Sequence, residues 1–408
     1  MANVVCPYCF ARYPDRRLEF RCLQSPRGTV SGTPCPPETD DRLTAFRGLA
    51  GPVKAGPVFP GRRSGHREPC PTCGVPSTKR VCPECHNDLP SGYAGIDGRI
   101  IALVGPKTSG KSIYTTVLVH ELRGRIGEAF EISLNAMDDR TEQRYAHQCA
   151  ELFDKGALPN ITRSAATDLV YPLLFRFTTP RSRLRGARLP NARLPGSRLF
   201  GSRVAANALA FFDTAGEDLT SEESTSRHVS YLAEADGIVL LVDPLQFGVV
   251  RDKVGHALPD LPPPGTPPAR IAGIIGQLIR DRRGLAAGRR IGTPLAVALT
   301  KTDVLWPLLD GGSRLRSPAR HDGRLDLADL AQVNDEVKAL LQEWDQGALR
   351  RQVEADFTTS AFFGLSALGG RPDGPNSAPA SGVRPLRTDD PILWLLAEFG
   401  LVPVEKAR

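Results

Sequence analysis

The stretch RIIALVGPKTSGKS, residues 99–112, decides the fold of this chain. Its first half is a short, nearly continuous apolar run, as expected of a strand buried on both faces of a parallel sheet. The second half is GxxxxGK[ST], and residues 113–122 continue with helical periodicity. A phosphate-binding loop needs that strand–loop–helix setting. Gly105 and Gly110 let the backbone wrap an anion. Pro106, Lys107, Thr108 and Ser109 form the body of the loop, whose N–H groups and following helix N-terminus bind the charge. Lys111 is placed to reach the β- and γ-phosphates, and the Ser112 hydroxyl to ligate magnesium.

Outward from this loop, residues 207–212 (NALAFF) form a second apolar strand that ends in Asp213-Thr-Ala-Gly216. An acid at the carboxyl end of a neighbouring strand lies beside the phosphate loop, where it can hold magnesium through water. Gly216 can offer its N–H to a γ-phosphate with no side chain in the way. Residues 237–242 (GIVLLV) and 294–299 (PLAVAL) are further buried strands, the latter running into Thr300-Lys-Thr-Asp303. The Asp303 carboxylate can accept from guanine N1–H and its exocyclic amine. Adenine has an acceptor at N1 and lacks that amine, so it would leave the carboxylate unsatisfied. Lys301 can lay its stem along the base. Residues 362–365 lead into Ser366, Ala367 and Leu368, placed to reach guanine O6 from a backbone N–H. Together these predict an α/β, doubly wound, mainly parallel sheet over residues 98–408, with GTP or GDP and Mg2+ as ligands.

In their order GPKTSGKS, DTAG, TKTD and SAL, these elements resemble the Ras-like GTPases of the translation-factor-related class. Cysteine knuckles before the domain and the ending PILWLLAEFGLV also resemble a bacterial group of double-GTPase proteins. The resemblance implies a molecular switch reset by hydrolysis of GTP to GDP and phosphate, working alongside a second GTPase. Three departures qualify it. Thr300 stands where the family has Asn and keeps a side-chain hydrogen bond without the amide geometry. Glu217 stands where Ras proteins have the Gln that orients the attacking water; its charge beside the γ-phosphate predicts slow intrinsic hydrolysis. About a hundred residues separate Lys111 from Asp213, roughly twice the compact spacing. The switch threonine, whose hydroxyl completes the magnesium shell in the GTP state, is therefore either Thr162 (LPNITR) or Thr167 (AATDLV), with Thr162 the first choice.

Eight of the nine cysteines lie before residue 86. Paired CxxC turns present two sulfurs each, and four thiolates close a tetrahedral zinc shell. Spacing groups Cys70, Cys73, Cys82 and Cys85 as one zinc-ribbon-like site, and Cys6, Cys9, Cys22 and Cys35 as another. An interleaved arrangement, with Cys6 and Cys9 sharing a metal with a later pair, stays open. His66 and His86 are alternative ligands or surface residues, and Cys149 reads as a small buried apolar residue. Residues 1–97 thus form two zinc modules stabilised by metal rather than by a core, with a docking role rather than chemistry.

The formal charge of +7 is local: residues 181–203 hold seven arginines and no acid. That loop is either a solvated tip or a contact for an acidic partner, with an arginine finger for hydrolysis a further role. In residues 1–97 the formal charge is +4, which two zinc sites with eight thiolates would cancel. The balance weighs against a nucleic-acid grip. Two inserts accompany the arginine loop, an extra helix over 135–160 and a Pro-rich extended loop over 251–270. No apolar run is long enough to span a bilayer and no secretory leader is visible, so a cytoplasmic protein with reduced thiols and a protein partner is expected. Two rival readings stand beside the switch. One is an ATP-using P-loop enzyme, in which Asp303 has no role; the other is a scaffold that retains nucleotide without turnover and acts through its knuckles.

Overall fold

The computed structural model describes residues 3–23, 35–48, 51–61, 67–93, 95–106, 108–158, 171–180, 204–213, 231–257, 261, 264–286, 288–374 and 376–405. Its frame is a seven-stranded sheet. In chain order the strands are β1 (Asp97–Val104), β2 (Ser133–Ala136), β3 (Leu173–Pro180), β4 (Val204–Asp213), β5 (Gly237–Val242), β6 (Leu295–Leu299) and β7 (Ser360–Gly364). Across the sheet the order is β2-β3-β4-β1-β5-β6-β7. The pairings β4–β1–β5–β6–β7 are parallel, and β2–β3 and β3–β4 are antiparallel. The predicted doubly wound, mainly parallel sheet is thus present.

The apolar run of β1 shows why it sits centrally. Ile100, Ala102 and Val104 belong to one core layer and Ile101 and Leu103 to the other, the alternation a pleated strand imposes. Helix α1 (Lys111–Arg123), α2 (Arg125–Phe130) and α7 (Asp390–Glu398) cover one face through Tyr114, Leu118, Leu122, Ile126, Ile392 and Leu396. Helices α4 (Pro268–Arg283), α5 (Leu327–Glu343) and α6 (Gly347–Asp356) cover the other. On α4, Ile271, Ile275 and Ile279 recur at helical spacing and are at most 2% exposed, each contributing roughly 1.5–3 kcal/mol. Gly284, at φ 60°, takes the left-handed conformation that ends α4.

The extra helix expected within residues 135–160 is α3 (Asp139–Cys149, capped by Asp138 through the Thr141 N–H), continued by one π turn over Ala150–Asp154; the end of β2, at Ala136, was not expected there. The outer edge of β2 is closed by Arg123, whose Nε donates to Leu134 O at 3.1 Å while its guanidinium pairs with Glu142. In the 251–270 insert a helix, Gly248–Val254, extends into the expected loop, and α4 begins at Pro268. Pro at the first helical turn lacks only an N–H that would be unsatisfied there anyway.

The cysteine-rich region packs on this frame. Phe10 lies 5.0 Å, edge to face, from Phe212 of β4 and 6.4 Å from Tyr231. Val5 is part of the sheet's own core, and Tyr93 donates to Val5 O at 2.7 Å just before the chain enters β1. Arg12 pairs with Glu234 and Asp236, and Asp236 in turn accepts from the Ile100 N–H of β1.

Candidate functional site

The strand ends β1, β4, β5, β6 and β7 share one edge of the sheet, where ligands bind in open α/β folds. Gly105 lies against β5: a Cβ there would meet Leu241 O and Ser109 Oγ, each at 2.7 Å. Gly110, at φ 84°, forms the N-cap of α1, and Thr108 is also left-handed at φ 71°. Lys111 is buried and folded back over the loop, its Nζ donating to Gly105 O (2.7 Å) and Pro106 O (2.9 Å). The buried Ser109 hydroxyl has no hydrogen-bond partner among the described residues. Ser112 is the second residue of α1, its carbonyl taken by Thr116 Oγ1. Asp213 ends β4 in register with Leu103 of β1. Lys107, Thr162, Thr167, Gly216, Glu217 and the arginine loop 181–203 lie outside the described residues.

Beyond the ends of β6 and β7 the two segments expected to read a base meet. Thr300 donates its N–H to Val242 O at 2.9 Å, and its hydroxyl lies 3.3 Å from the same oxygen. Lys301 adopts a left-handed backbone, φ 53°, and caps the short helix Thr302–Leu305. Asp303 Oδ1 accepts from Ser366 Oγ at 2.5 Å, and Ser366 Oγ accepts from Gly369 N–H at 2.9 Å. Burial holds the Asp303 carboxyl above its ordinary range, against the lowering effect of the Ser366 hydroxyl and Lys301. Ser366 is bonded through its backbone in both directions to Leu386. Ala367 and Leu368 pack with Ile113 and Val117 of α1 and with Leu152 and Leu158 of the insert.

One group near this site was not found from sequence. Arg387 Nη1 donates to Asp329 (2.7 Å) and Asp390 (2.9 Å), and its Nε to the carbonyls of Arg314 and Ser317. His321 Nε2 reaches Asp390 at 3.1 Å while its Nδ1 accepts the Asp326 N–H. Burial opposes charge on His321, but Asp390 and the neighbouring acids outweigh it and raise its pKa. Asp389, fully enclosed, is pushed to about 6 by burial and by Asp390. Tyr114 of α1 feels both carboxylates. The signal was the run Arg387-Thr-Asp-Asp390 opening an apolar helix, whose buried partners come from residues about 60 positions upstream.

The cysteines correct the spacing argument. The two groups are Cys6, Cys9, Cys82 and Cys85, and Cys22, Cys35, Cys70 and Cys73, each with its sulfurs within 4.8 Å of one another. The assignments of Cys22 and Cys35 to the first pair, and of Cys70 and Cys73 to Cys82 and Cys85, are therefore overturned. The cause is a small sheet in which Glu19–Arg21 pairs with both Val58–Pro60 and Arg80–Val81. It brings the third knuckle beside the first. The turns at Cys6, Cys70 and Cys82 share one geometry: the N–H four residues on returns to the first cysteine's carbonyl at 2.9–3.0 Å. That fifth residue is left-handed each time, Phe10, Gly74 and His86. His86 faces Asp40 (2.8 Å) and Glu19 (3.3 Å) rather than a sulfur, and His66 lies outside the described residues.

Both groups fit a tetrahedral soft metal such as zinc. Hydrogen bonds from its neighbours, Cys6 first, lower the Cys82 pKa. In the other group burial opposes the Cys70 thiolate, but the N–H groups of Cys73 and Thr72 outweigh it and bring the thiol to about 7. The Tyr8 and Glu84 N–H groups and Asn87 Nδ2 point at Cys6, Cys82 and Cys85 sulfurs at 3.2–3.4 Å. Cys149, half-buried, lies 3.7 Å from His120 Nδ1.

No family model matches the chain. It is 28% identical over 428 aligned positions to a Mycolicibacterium smegmatis protein named "Putative ESX-1 scaffolding and assembly protein SaeC", covering 97% of this chain and 99% of that one. Among solved structures it is similar to the Arl6 BBS3 small GTPase of Trypanosoma brucei with a bound nucleotide analogue (12% identity, 74% of this chain and 97% of that one, TM-score 0.29). It is also similar to a chain of the signal recognition particle receptor SRb-GTP/SRX complex of Chaetomium thermophilum (14%, 68% and 93%, TM-score 0.26). A third similarity is to the S. cerevisiae Ski7 GTPase-like domain bound to GTP (17%, 76% and 52%, TM-score 0.30). No helix among the described residues is long and apolar enough to cross a membrane.

Proposed function

We propose that the chain is a guanine-nucleotide-binding switch that takes GTP or GDP with magnesium, hydrolyses GTP slowly and signals to a protein partner. The observation that carries this is the meeting of Asp303 and Ser366 at 2.5 Å, at the ends of adjacent strands. Such a pair has no purpose in a P-loop enzyme indifferent to the base. A guanine entering there would exchange the Ser366 bond for contacts to its own N1–H and amine. The Ser366 N–H is committed to Leu386 O, which leaves the N–H groups of Ala367 and Leu368 as the donors for O6.

On binding, Lys111 would leave the carbonyls of Gly105 and Pro106 for the β- and γ-phosphates. Exchanging two neutral acceptors for phosphate charge favours the loaded loop. Ser112 and Asp213 would hold magnesium, which supplies charge neutralisation at the phosphates. Thr162 would join that shell only with a γ-phosphate, and the Gly216 N–H would sense the same group. Glu217 would orient water with an added negative charge, so turnover is slow until a partner assists. The two cysteine groups would hold structural zinc, closed to substrate by four protein ligands each. The reduced thiols suit a cytoplasmic setting. A second GTPase is a candidate partner, and the loop 181–203 is a candidate contact for an acidic one.

A second reading has its own support. SaeC is named for scaffolding and assembly, and Glu217 disfavours rapid hydrolysis. A nucleotide-stabilised scaffold would retain GTP or GDP tightly with turnover near zero even with its partner. Competitive equilibrium binding of GTP, GDP and ATP with magnesium, for wild type and Asp303→Ala, tests the base-reading claim. GTP and GDP should bind at micromolar affinity or tighter and ATP weakly, with the preference lost in the variant. Equal ATP binding, unchanged in Asp303→Ala, would refute it.

A further inference from the structure

The end of β5 offers a residue to the base-reading loop that the motifs do not contain. Asp243 follows the apolar strand GIVLLV directly and is 1% exposed. Its Oδ2 lies 2.7 Å from Lys301 Nζ, and its Oδ1 accepts the Leu245 N–H at 3.0 Å. The preceding residue, Val242, gives its carbonyl to both the N–H and the hydroxyl of Thr300. Val242, the last residue of β5, and Asp243, just past it, therefore hold the two consecutive residues that open the base-reading loop.

A buried carboxylate without a cation costs several kcal/mol, so Asp243 ties the ammonium of Lys301 to one place. The Lys301 backbone is left-handed, and its side chain remains about a third exposed (35%). With the ammonium anchored, that stem stands as a fixed apolar wall beside Asp303. Thr300 cannot do this work, because its short hydroxyl is already spent on Val242.

We propose that Asp243 is a positioning residue for the purine base, acting through Lys301. It takes over the loop-ordering role left open by the threonine at position 300. The inference rests on the guanine-site reading above and deepens it. Asp243 sets how tightly any purine is held, whereas Asp303 sets which purine is chosen.

The two roles separate in a fluorescence titration with N-methylanthraniloyl GDP and IDP, since IDP keeps N1–H and lacks the amine. Asp243→Asn keeps an acceptor for Leu245 N–H and removes only the charge. It should weaken GDP and IDP equally, by about tenfold, the scale of one charge-assisted contact, leaving their ratio unchanged. Lys301→Met should do the same, the double variant should be no weaker than either single one, and Asp243→Glu should recover part of the loss. Asp303→Ala should instead collapse the GDP-to-IDP ratio. The proposal is overturned if Asp243→Asn stays within about twofold of wild type, if its effect multiplies with that of Lys301→Met, or if it changes the ratio. If Asp243→Asn does not fold, an unchanged affinity in Lys301→Met overturns it equally. Failure of Asp303→Ala to alter either affinity or ratio sinks the guanine-site reading itself, and a protein that binds neither nucleotide overturns both.

Discussion

Replacing Phe10 by Ala asks whether the first cysteine knuckle is an appendage or part of the seven-stranded frame. Phe10 is 8% exposed, and its ring meets Phe212, the residue before Asp213 on β4. Truncating a buried Phe costs about 3–5 kcal/mol, of which the aromatic pair supplies roughly 1. The left-handed backbone at φ 66° is as strained for Ala as for Phe, so no relief offsets that loss. Unfolding entropy is about 2.1 cal/mol/K per residue near the midpoint. For 408 residues unfolding together, that is about 0.9 kcal/mol/K, so a loss of ~3 kcal/mol lowers the melting midpoint by about 3–4 °C. Differential scanning calorimetry of the zinc-loaded protein should show the whole transition moving down by that amount, still as one transition. A separate low-temperature shoulder with an unmoved main peak would mean that the knuckle melts alone. The argument for a shared core would then be wrong.

Two further perturbations test other parts of the structure. Cys9→Ser and Cys82→Ser should each lower bound zinc from two ions to one, and the double variant should still hold one, because both cysteines serve the same group. Loss of both ions from the double variant, measured by inductively coupled plasma mass spectrometry, would restore the sequential assignment. Asp389 has a folded-state pKa of about 6, raised above its ordinary value. The fold therefore binds this proton more tightly than the unfolded chain, and its penalty is absent below the ordinary carboxylate range. The penalty grows as pH rises toward 6 and then levels off at about 3 kcal/mol. Asp389→Asn should stabilise the protein by an amount of that order at pH 7.5, less at pH 5. Among the described residues one ion pair is lost, to Arg125 at 3.5 Å, and that arginine is 60% exposed. A denaturant midpoint that falls at pH 7.5 would refute this.

The sheet was legible where the chain is monotonous. Residues 100–104 and 237–242 are apolar on both faces, and such runs have only the middle of a parallel sheet to occupy. Asp303 and Ser366 were legible because their motifs sit at strand ends, and parallel neighbours bring strand ends together. The cysteine pairing was not. A CxxC turn specifies two sulfurs and says nothing of which other turn completes the shell. That choice is made by strands of two or three residues, such as Glu19–Arg21 and Arg80–Val81, too short to carry a period. The edge strand β2 was missed for the same reason: SLNA has four residues and follows a helix directly. Asp243 escaped notice because a single acid after a strand is common, and its meaning comes only from Lys301, 58 positions on. The Arg387 group was hidden because sequence counts charges without showing which are enclosed.

The two cysteine groups are nested, with Cys22 to Cys73 lying wholly between Cys9 and Cys82. During synthesis the inner set is complete as soon as Cys73 leaves the ribosome, and the outer one only after Cys85. The P-loop strand has not begun at either moment, since it starts at Asp97. Closing the inner loop first shortens the span that the outer one must gather, which lowers the entropic cost of the second closure. If metal fills these groups as the chain emerges, the inner one is completed first, and both are complete before β1 is made.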